Sequence, residues 1–462
     1  MTTHVTVLES PAASQCERLR LRQGRAGLAA DTKPCPLRAQ FAVDRLLTRA
    51  LASANVGTDV GRETPTLAEG RTDERVSGRT TAPLQVGVIG LGVVAQAVHL
   101  PLLAKHPELF RIAAVSDISD AACRSLGDRF GIDGTRRFAS AEALLATDGL
   151  DAVAILTPGS HGELAAAAAR RGLAVFCEKP LAYTVAESDE LAALAPRLML
   201  GYMKLYDPAV ERARELLADR PSPRSIEVTV LHPPDPPQLA HVGLLPPTGD
   251  VPAAVLADLR AADDAMLRRA LGDVPPQISR LYADVILGSI VHDLAVIRNL
   301  LGGPLELEYA DHWGTSVALA GRLGDGVRVS IRWHYLEHYP SYREEVRVHD
   351  ASGSISVMFP APYLLHAPTV LQVVDDGGNG SDQVSETRST VEAFERQWLA
   401  FAAFANGGAA PRAGIAEGRE DTITCQSAAA LLAARQGFEV GGEAATVRTN
   451  TERVGNGKGG AR

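Results

Sequence analysis

Gly90-Leu91-Gly92-Val93-Val94-Ala95 is the first stretch whose residue types and spacing suit a chemical task. It follows a short apolar run, Leu84 to Ile89, and opens a segment of helical character. The first glycine permits a tight turn and the second lets backbone approach a pyrophosphate. The third position needs only a small side chain, which Ala95 supplies. The helix start then offers unpaired N–H groups to phosphate oxygens. Asp117 ends the next apolar run about 25 residues on, where an acidic side chain meets an adenosine ribose. An aspartate there accepts from a 2′-hydroxyl and repels a 2′-phosphate, so NAD is expected rather than NADP. The same residue also suits the N-cap of a helix starting near Ala121.

Two further runs end in residues that bear on chemistry. Thr157-Pro158-Gly159-Ser160-His161 closes one and Cys177-Glu178-Lys179-Pro180 the other. The carboxyl ends of parallel strands are where ligands bind in such sheets. A lysine there would give positive charge to a substrate oxygen as hydride leaves carbon. Lys204 and Tyr206 directly follow a later run and are candidates to line the substrate cleft. A domain-linking salt bridge and a packed aromatic are the competing readings of that pair. His334 and His338 have metal-ligand spacing only on a helix, whereas Ile331 to Tyr335 reads as a strand, so no metal site is expected.

These residues need elements to position them. Strands are expected at Leu84–Ile89, Phe110–Val115, Thr135–Phe138, Asp151–Leu156, Leu173–Phe176 and Arg197–Tyr202. Helical segments alternate with them through about Lys105 and over Ala121–Phe130 and His161–Arg171. Nearly all-apolar strands spaced by helices mean a doubly wound parallel sheet, the Rossmann arrangement. Residues 83–218 are assigned to it. Residues 219–437 read as an α+β domain with a mostly antiparallel sheet. Its expected strands are Ser225–His232, Leu305–Tyr309, Val327–Tyr335, Glu344–Val348 and Ser354–Phe359. Its expected helices are Val285–Leu301, Val391–Phe404 and Gly418–Arg435, and a Pro-rich loop, Pro233–Pro252, is placed to cover a cleft. Residues 1–82, rich in Arg, Ala, Gly and Thr, are expected to be a disordered extension, and 438–462 a flexible tail.

Composition bounds the partners. The chain has 462 residues, with 46 Lys plus Arg against 55 Asp plus Glu, a net charge of −9. That balance speaks against nucleic acid, which needs a basic surface. With 46% hydrophobic and 22% charged residues the chain is that of a globular protein. An unbroken apolar run of about 18 residues is lacking, so no membrane span is expected. Cys16, Cys35, Cys123, Cys177 and Cys425 are scattered and odd in number, which favours a reducing, cytoplasmic setting.

Taken in order, these motifs resemble the glucose-fructose oxidoreductase, inositol dehydrogenase and rhizopine-catabolism family. The resemblance rests on Gly90-x-Gly92-x-x-Ala95, His99-Leu-Pro101, Asp117, Thr157-Pro158 with His161, and Glu178-Lys179-Pro180. Gly201 to Pro208 and Arg419-Glu-Asp421 extend it toward Gly437. It implies a Rossmann domain followed by an α/β domain whose open, mostly antiparallel sheet assembles dimers or tetramers, with a small sugar or polyol substrate held between the two. By the same resemblance Lys179 and His292 are catalytic, and Gly90, Leu91, Gly92, Val93, Val94, Asp117, Thr157, Pro158, His161, Glu178 and Lys179 bind the coenzyme. Lys204, Tyr206 and Asp293 are candidates toward substrate. Two departures stand out. The family's aspartate four residues before the histidine is Gly288 here, and Ala295 replaces an acidic residue three after it. Asp293 is adjacent to His292, but on a helix it points roughly 100° away. The expected activity is hydride transfer between nicotinamide and a secondary alcohol. An oxidation–elimination–reduction cycle on a glycoside and a coenzyme-bound sensor are the alternatives.

Overall fold

The computed structural model describes residues 82–324 and 326–447. Of the extension expected over residues 1–82, all but residue 82 lies outside them, as do residues 448–462 of the expected tail. Six parallel strands form the first sheet: β1 (Leu84–Ile89), β2 (Phe110–Ser116), β3 (Arg137–Phe138), β4 (Ala152–Ile155), β5 (Ala174–Cys177) and β6 (Leu198–Leu200). Their order is 3-2-1-4-5-6. Every residue of β4 and β5 is buried, as strands covered on both faces must be. The covering helices are α1 (Leu100–Lys105), α2 (Asp120–Arg129), α3 (Ala141–Leu145), α4 (Gly162–Arg170) and α5 (Val185–Ala193). Strand order reverses between β1 and β4, which opens a crevice at their carboxyl ends. Gly90 and Thr157 meet there, and a Cβ on Gly90 would lie 2.8 Å from the Thr157 nitrogen.

The second sheet has eight strands: β7 (Ser225–His232), β8 (Leu305–Trp313), β9 (Ser316–Leu323), β10 (Arg328–Tyr335), β11 (Arg343–His349), β12 (Gly353–Phe359), β13 (Thr369–Asp376) and β14 (Asp382–Ser389). They run in the order 14-13-12-11-7-10-9-8, antiparallel except for the β7–β10 pair. Burial alternates along β11, with Val346 and Val348 inside and Arg343, Glu345 and Arg347 on the other face. Helices α6 (Pro208–Ala218), α7 (Asp235–Leu239), α8 (Ala253–Leu271) and α9 (Pro276–Arg280) come next, and a π-helical stretch, Leu281–Ile290, runs into α10 (Val291–Leu301). Three strands, β9, β13 and β14, and the helices α3 and α5 to α9 are additions to the sequence reading. In β14 the cause is composition. It is a polar strand at the sheet's edge, where charge rather than alternation protects it. In α8 only Leu267, Ala270 and Leu271 are buried, so no apolar stripe marks it.

Two last helices, α11 (Ala393–Ala405) and α12 (Ile415–Arg435), return to the first sheet. The Leu200 N–H donates to Ala413 O at 3.0 Å, and Gln397 Nε2 donates to Leu200 O at 3.2 Å. The parallel sheet is therefore completed by residues from beyond 390, and a single cut at 218 does not separate the two layers. Residues 438–447, read as the start of a flexible tail, are also tied down. Gly441 N–H donates to Leu271 O at 2.8 Å, and the Glu443 carboxylate accepts from Val185 N at 2.6 Å and Ala186 N at 2.9 Å. Glu443 thus supplies an anion to the exposed N–H groups that open α5, an interaction no local pattern announces. Among the described residues no helix is long and apolar enough to cross a membrane.

Candidate active site

Gly90 has φ +91°, a conformation that glycine adopts without strain. Gly92 is exposed, and a Cβ placed on it would meet nothing within 4 Å. The two glycines thus answer to different needs, a close backbone approach to β4 at one and open space at the other. Val93 and Val94 begin the helical turn, and Ala95 is buried. Asp117 is not the cap of α2. Ser119 is, accepting from Ala122 N, while Asp117 ties the two strand ends together. Its Oδ2 accepts from Leu91 N–H at 2.8 Å and its Oδ1 from Ser119 N–H at 2.9 Å. An open glycine facing a helix start, with a carboxylate at the end of β2, fits a dinucleotide.

Thr157 is half-buried and Pro158 exposed, both beside the crevice. His161 and Glu178, assigned to the coenzyme by resemblance, turn inward instead. Both His161 ring nitrogens lie 2.6 Å from backbone carbonyls, Nδ1 against Pro180 O and Nε2 against Thr157 O. The imidazole staples the loop after β4 to the loop after β5. Glu178 is buried under Lys179, with Oε1 3.1 Å from His99 Nε2 and Oε2 accepting Lys179 N–H at 3.2 Å. Trp398 donates its indole N–H to His99 Nδ1 at 3.0 Å. An indole can only donate, so the histidine proton sits on Nε2 and points at Glu178. Burial opposes ionisation of Glu178, but the His99 hydrogen bond and the nearby positive charge outweigh it and hold its pKa below the usual value.

Lys179 crosses to the second half of the chain, where its ammonium donates to the Gly288 carbonyl. The residue lacking the family's carboxylate thus contributes a backbone acceptor. One turn later, at the start of α10, stands His292. Its Nδ1 is buried without a hydrogen-bond partner, and its ring packs edge-on to Tyr202 at 5.9 Å. Burial, and after it the charges of Lys179 and Lys204, push the imidazole pKa well below its ordinary value. Burial likewise lowers Lys179, with Glu178 opposing and Lys204 assisting.

Beneath this pair lies a second constellation. Lys204 donates to Glu344 of β11 and lies 3.8 Å from Asp293 Oδ1. Tyr342 OH donates to the other Glu344 oxygen at 2.7 Å, and the Lys204 ammonium lies 5.0 Å from the Phe359 ring centroid. Burial, then the like charge of Glu344, raises the Asp293 pKa far above the carboxylate range. Glu344 is also buried, yet Lys204 keeps its pKa low. These opposite directions favour the proton on Asp293 and the charge on Glu344. Of the three substrate candidates, Lys204 and Asp293 come together, and Tyr206 does not join them. Its hydroxyl accepts Arg412 N–H at 3.1 Å and the Arg412 guanidinium lies 5.3 Å from its ring centroid, so it is a packed aromatic. Glu344 went unassigned because it sits on an ordinary alternating strand that only the tertiary fold brings to Lys204, while Tyr342, just before that strand and expected to be structural on the sheet surface, bonds Glu344 instead.

Residues 84–203 match the family described as oxidoreductase family, NAD-binding Rossmann fold. That stretch spans the whole parallel sheet, β1 to β6. Among curated relatives, D-xylose 1-dehydrogenase (NADP(+)) 2 of Haloferax volcanii is 39% identical over 141 residues, 29% of this chain and 40% of that protein. Inositol 2-dehydrogenase of Corynebacterium glutamicum is 30% identical over 140 residues, 29% of this chain and 41% of that one. The matches span about two fifths of those relatives' own lengths. The 3-ketoreductase KijD10 of Actinomadura kijaniata, solved with NADP, shares the fold with a TM-score of 0.57 at 20% identity, covering 77% of this chain and 98% of that one. UDP-N-acetylglucosamine 3-dehydrogenase of Acidithiobacillus ferrooxidans does so at 0.56 and 20%, covering 77% and 99%. Both sheets of the chain, parallel and mostly antiparallel, thus follow the fold of these two solved structures.

Proposed function

We propose that this protein is an NAD-dependent oxidoreductase acting on a secondary alcohol or ketone of a sugar, polyol or related cyclic compound. The observation that carries this is that Lys179, from the end of β5, bonds the Gly288 carbonyl one turn before His292, whose Nδ1 is buried without a partner. Gly90 to Val94 and Asp117 would hold the coenzyme, whose nicotinamide supplies or accepts hydride when bound. A neutral, desolvated His292 is fitted to accept the hydroxyl proton during oxidation. The Lys179 ammonium would stabilise the oxygen as negative charge builds on it. Lys204 is neutralised by Glu344, which suits it to shape the floor of the cleft. Dehydrogenase relatives and sugar-nucleotide oxidoreductases of the same fold support the substrate class. The negative charge of the chain and its scattered cysteines favour a cytoplasmic enzyme, and its sheet is the surface on which a dimer or tetramer would form.

The decisive experiment mixes the protein with NADH deuterated at its transferable position and a small-molecule cell extract, and seeks a metabolite labelled at carbon by mass spectrometry. Label is expected on one compound with the native protein and is lost with Lys179→Ala. That variant should lose turnover by about 10²-fold or more while NADH affinity stays nearly unchanged, because Lys179 acts on the reacting oxygen. Turnover that survived the substitution would refute the mechanism. Net NADH accumulation with the identified alcohol would separate a dehydrogenase from an oxidation–elimination–reduction cycle.

A further inference from the structure

The start of α2 is already filled by a carboxylate from the other half of the chain. Asp250 lies in the segment between α7 and α8. Its Oδ1 accepts from Ser119 Oγ at 2.7 Å and its Oδ2 from Ala121 N–H at 2.8 Å. Thr248 shares the contact, its hydroxyl 2.9 Å from that of Ser119, and itself bonds Asp250. The same segment is fastened at the glycine turn. Leu245 N–H donates to Gln96 Oε1 at 2.8 Å, and Gln96 Nε2 donates to Leu91 O at 2.8 Å. Residues 245–250 therefore run as a strap from the glycine turn to the start of α2, and Asp117 lies between those two attachments, bonded to Leu91 and Ser119.

In sheets of this order the adenosine ribose is read at the end of β2. A carboxylate there takes a 2′-hydroxyl, whereas a nearby arginine or free N–H groups take a 2′-phosphate. Residues 118–121, Ile-Ser-Asp-Ala, include no cation. The donors a phosphate would use, the Ser119 hydroxyl and the Ala121 N–H, are spent on Asp250. We propose that Asp250 is a coenzyme-specificity residue, an internal anion in the place of the 2′-phosphate that makes the chain take NAD and turn away NADP. A 2′-hydroxyl can donate to Asp117 and needs nothing from Asp250. A phosphate would have to displace one anion and lie against the other. The hydrogen bonds from Thr248, Ala121 and Ser119 keep Asp250 ionised, so this exclusion persists across the neutral range. The assignment rests on the oxidoreductase reading and adds to it a determinant from outside the dinucleotide domain, where the sequence offers only Asp117.

The test is a direct titration of the full chain with NADH and with NADPH, following coenzyme fluorescence, for the native protein, Asp250→Ala and Asp250→Asn. The native protein should bind NADH at least about 100-fold more tightly than NADPH. Asp250→Ala should tighten NADPH by about tenfold or more and leave NADH within about threefold. Asp250→Asn, which removes the charge and keeps the shape, should fall between. Asp250 is exposed, and retained NADH binding certifies that each variant is folded. The assignment is overturned if both variants keep the native preference, if Asp250→Ala loses both coenzymes, or if the native protein binds the two alike. In the last case the oxidoreductase reading stands. A native protein that binds neither coenzyme would instead remove that reading, and the role of Asp250 with it.

Discussion

His292 is half-buried, its Nδ1 enclosed and two ammonium groups nearby, and both features favour the neutral ring. A histidine whose pKa is depressed in the fold stays able to accept a proton throughout the neutral range. It also lowers stability as pH falls below its ordinary value of about 6.5, because only the unfolded chain can then take up the proton. In the oxidation direction kcat/KM should therefore lack a limb near pH 6.5 and fall only at more acid pH. A rate profile breaking at or above 6.5 would show that another group is the base. The two carboxyls below it make a sharper contrast. Lys204 holds the Glu344 carboxyl below its usual pKa, whereas burial and the charge of Glu344 push that of Asp293 up, which favours the proton on Asp293. Glu344→Gln should cost about 3 kcal/mol and Asp293→Asn under about 1 kcal/mol, measured by urea unfolding at pH 7. Equal losses would mean that the proton is not on Asp293. Lys179 and His292 each stand in a short stretch that resembles the family's, which is how the sequence pointed to them as candidates. The Lys204–Glu344 pair was not legible, since residues 140 positions apart are joined only by the fold.

The elements that carry these residues differ in how plainly sequence announces them. Strand β7 begins and ends where its alternation predicts, at Ser225 and His232, and β1, β2, β4 and β5 fall within one residue at either end of their apolar runs. Burial on both faces leaves β4 and β5 no polar position to blur the pattern. The helix before His292 was legible in existence but not in kind. Its first part, Leu281–Ile290, is π-helical, a widened form seen most often at functional sites, and it presents the Gly288 carbonyl to Lys179. Apolar periodicity cannot separate π from α over ten residues, because both bury Val285, Ile286 and Ile290. The strap at 245–250 shows the other limit. It is held by Gln96, Ser119 and Ala121, partners in another layer, and a Pro-rich composition says only that it is not a helix or a strand.

At the scale of the whole molecule, α11 is what makes the two halves one machine. Trp398 is fully buried, stacked on Phe176 of β5 with centroids 4.3 Å apart, and edge-on to Phe110 at 5.4 Å and Phe401 at 5.5 Å. Its indole N–H begins a relay through His99 and Glu178 to the backbone N–H of Lys179, with links of 3.0, 3.1 and 3.2 Å. Packing and position can be separated by two substitutions. Trp398→Ala removes the stack and should cost about 3–5 kcal/mol of stability. Trp398→Phe keeps an aromatic ring between the same neighbours but leaves His99 Nδ1 buried without its donor, at a cost of about 1–3 kcal/mol. It also frees the histidine to place its proton on either nitrogen, so Glu178 no longer holds Lys179 from below in one geometry. Turnover should then fall several-fold while KM for NADH stays put, since the glycine turn and Asp117 lie on the other strands. Thermal unfolding and steady-state kinetics on both variants distinguish the outcomes. A Phe variant that loses stability with kcat intact would make Trp398 a packing residue alone. A loss of kcat in the folded Phe variant would show that a C-terminal helix sets the position of the lysine at the end of β5.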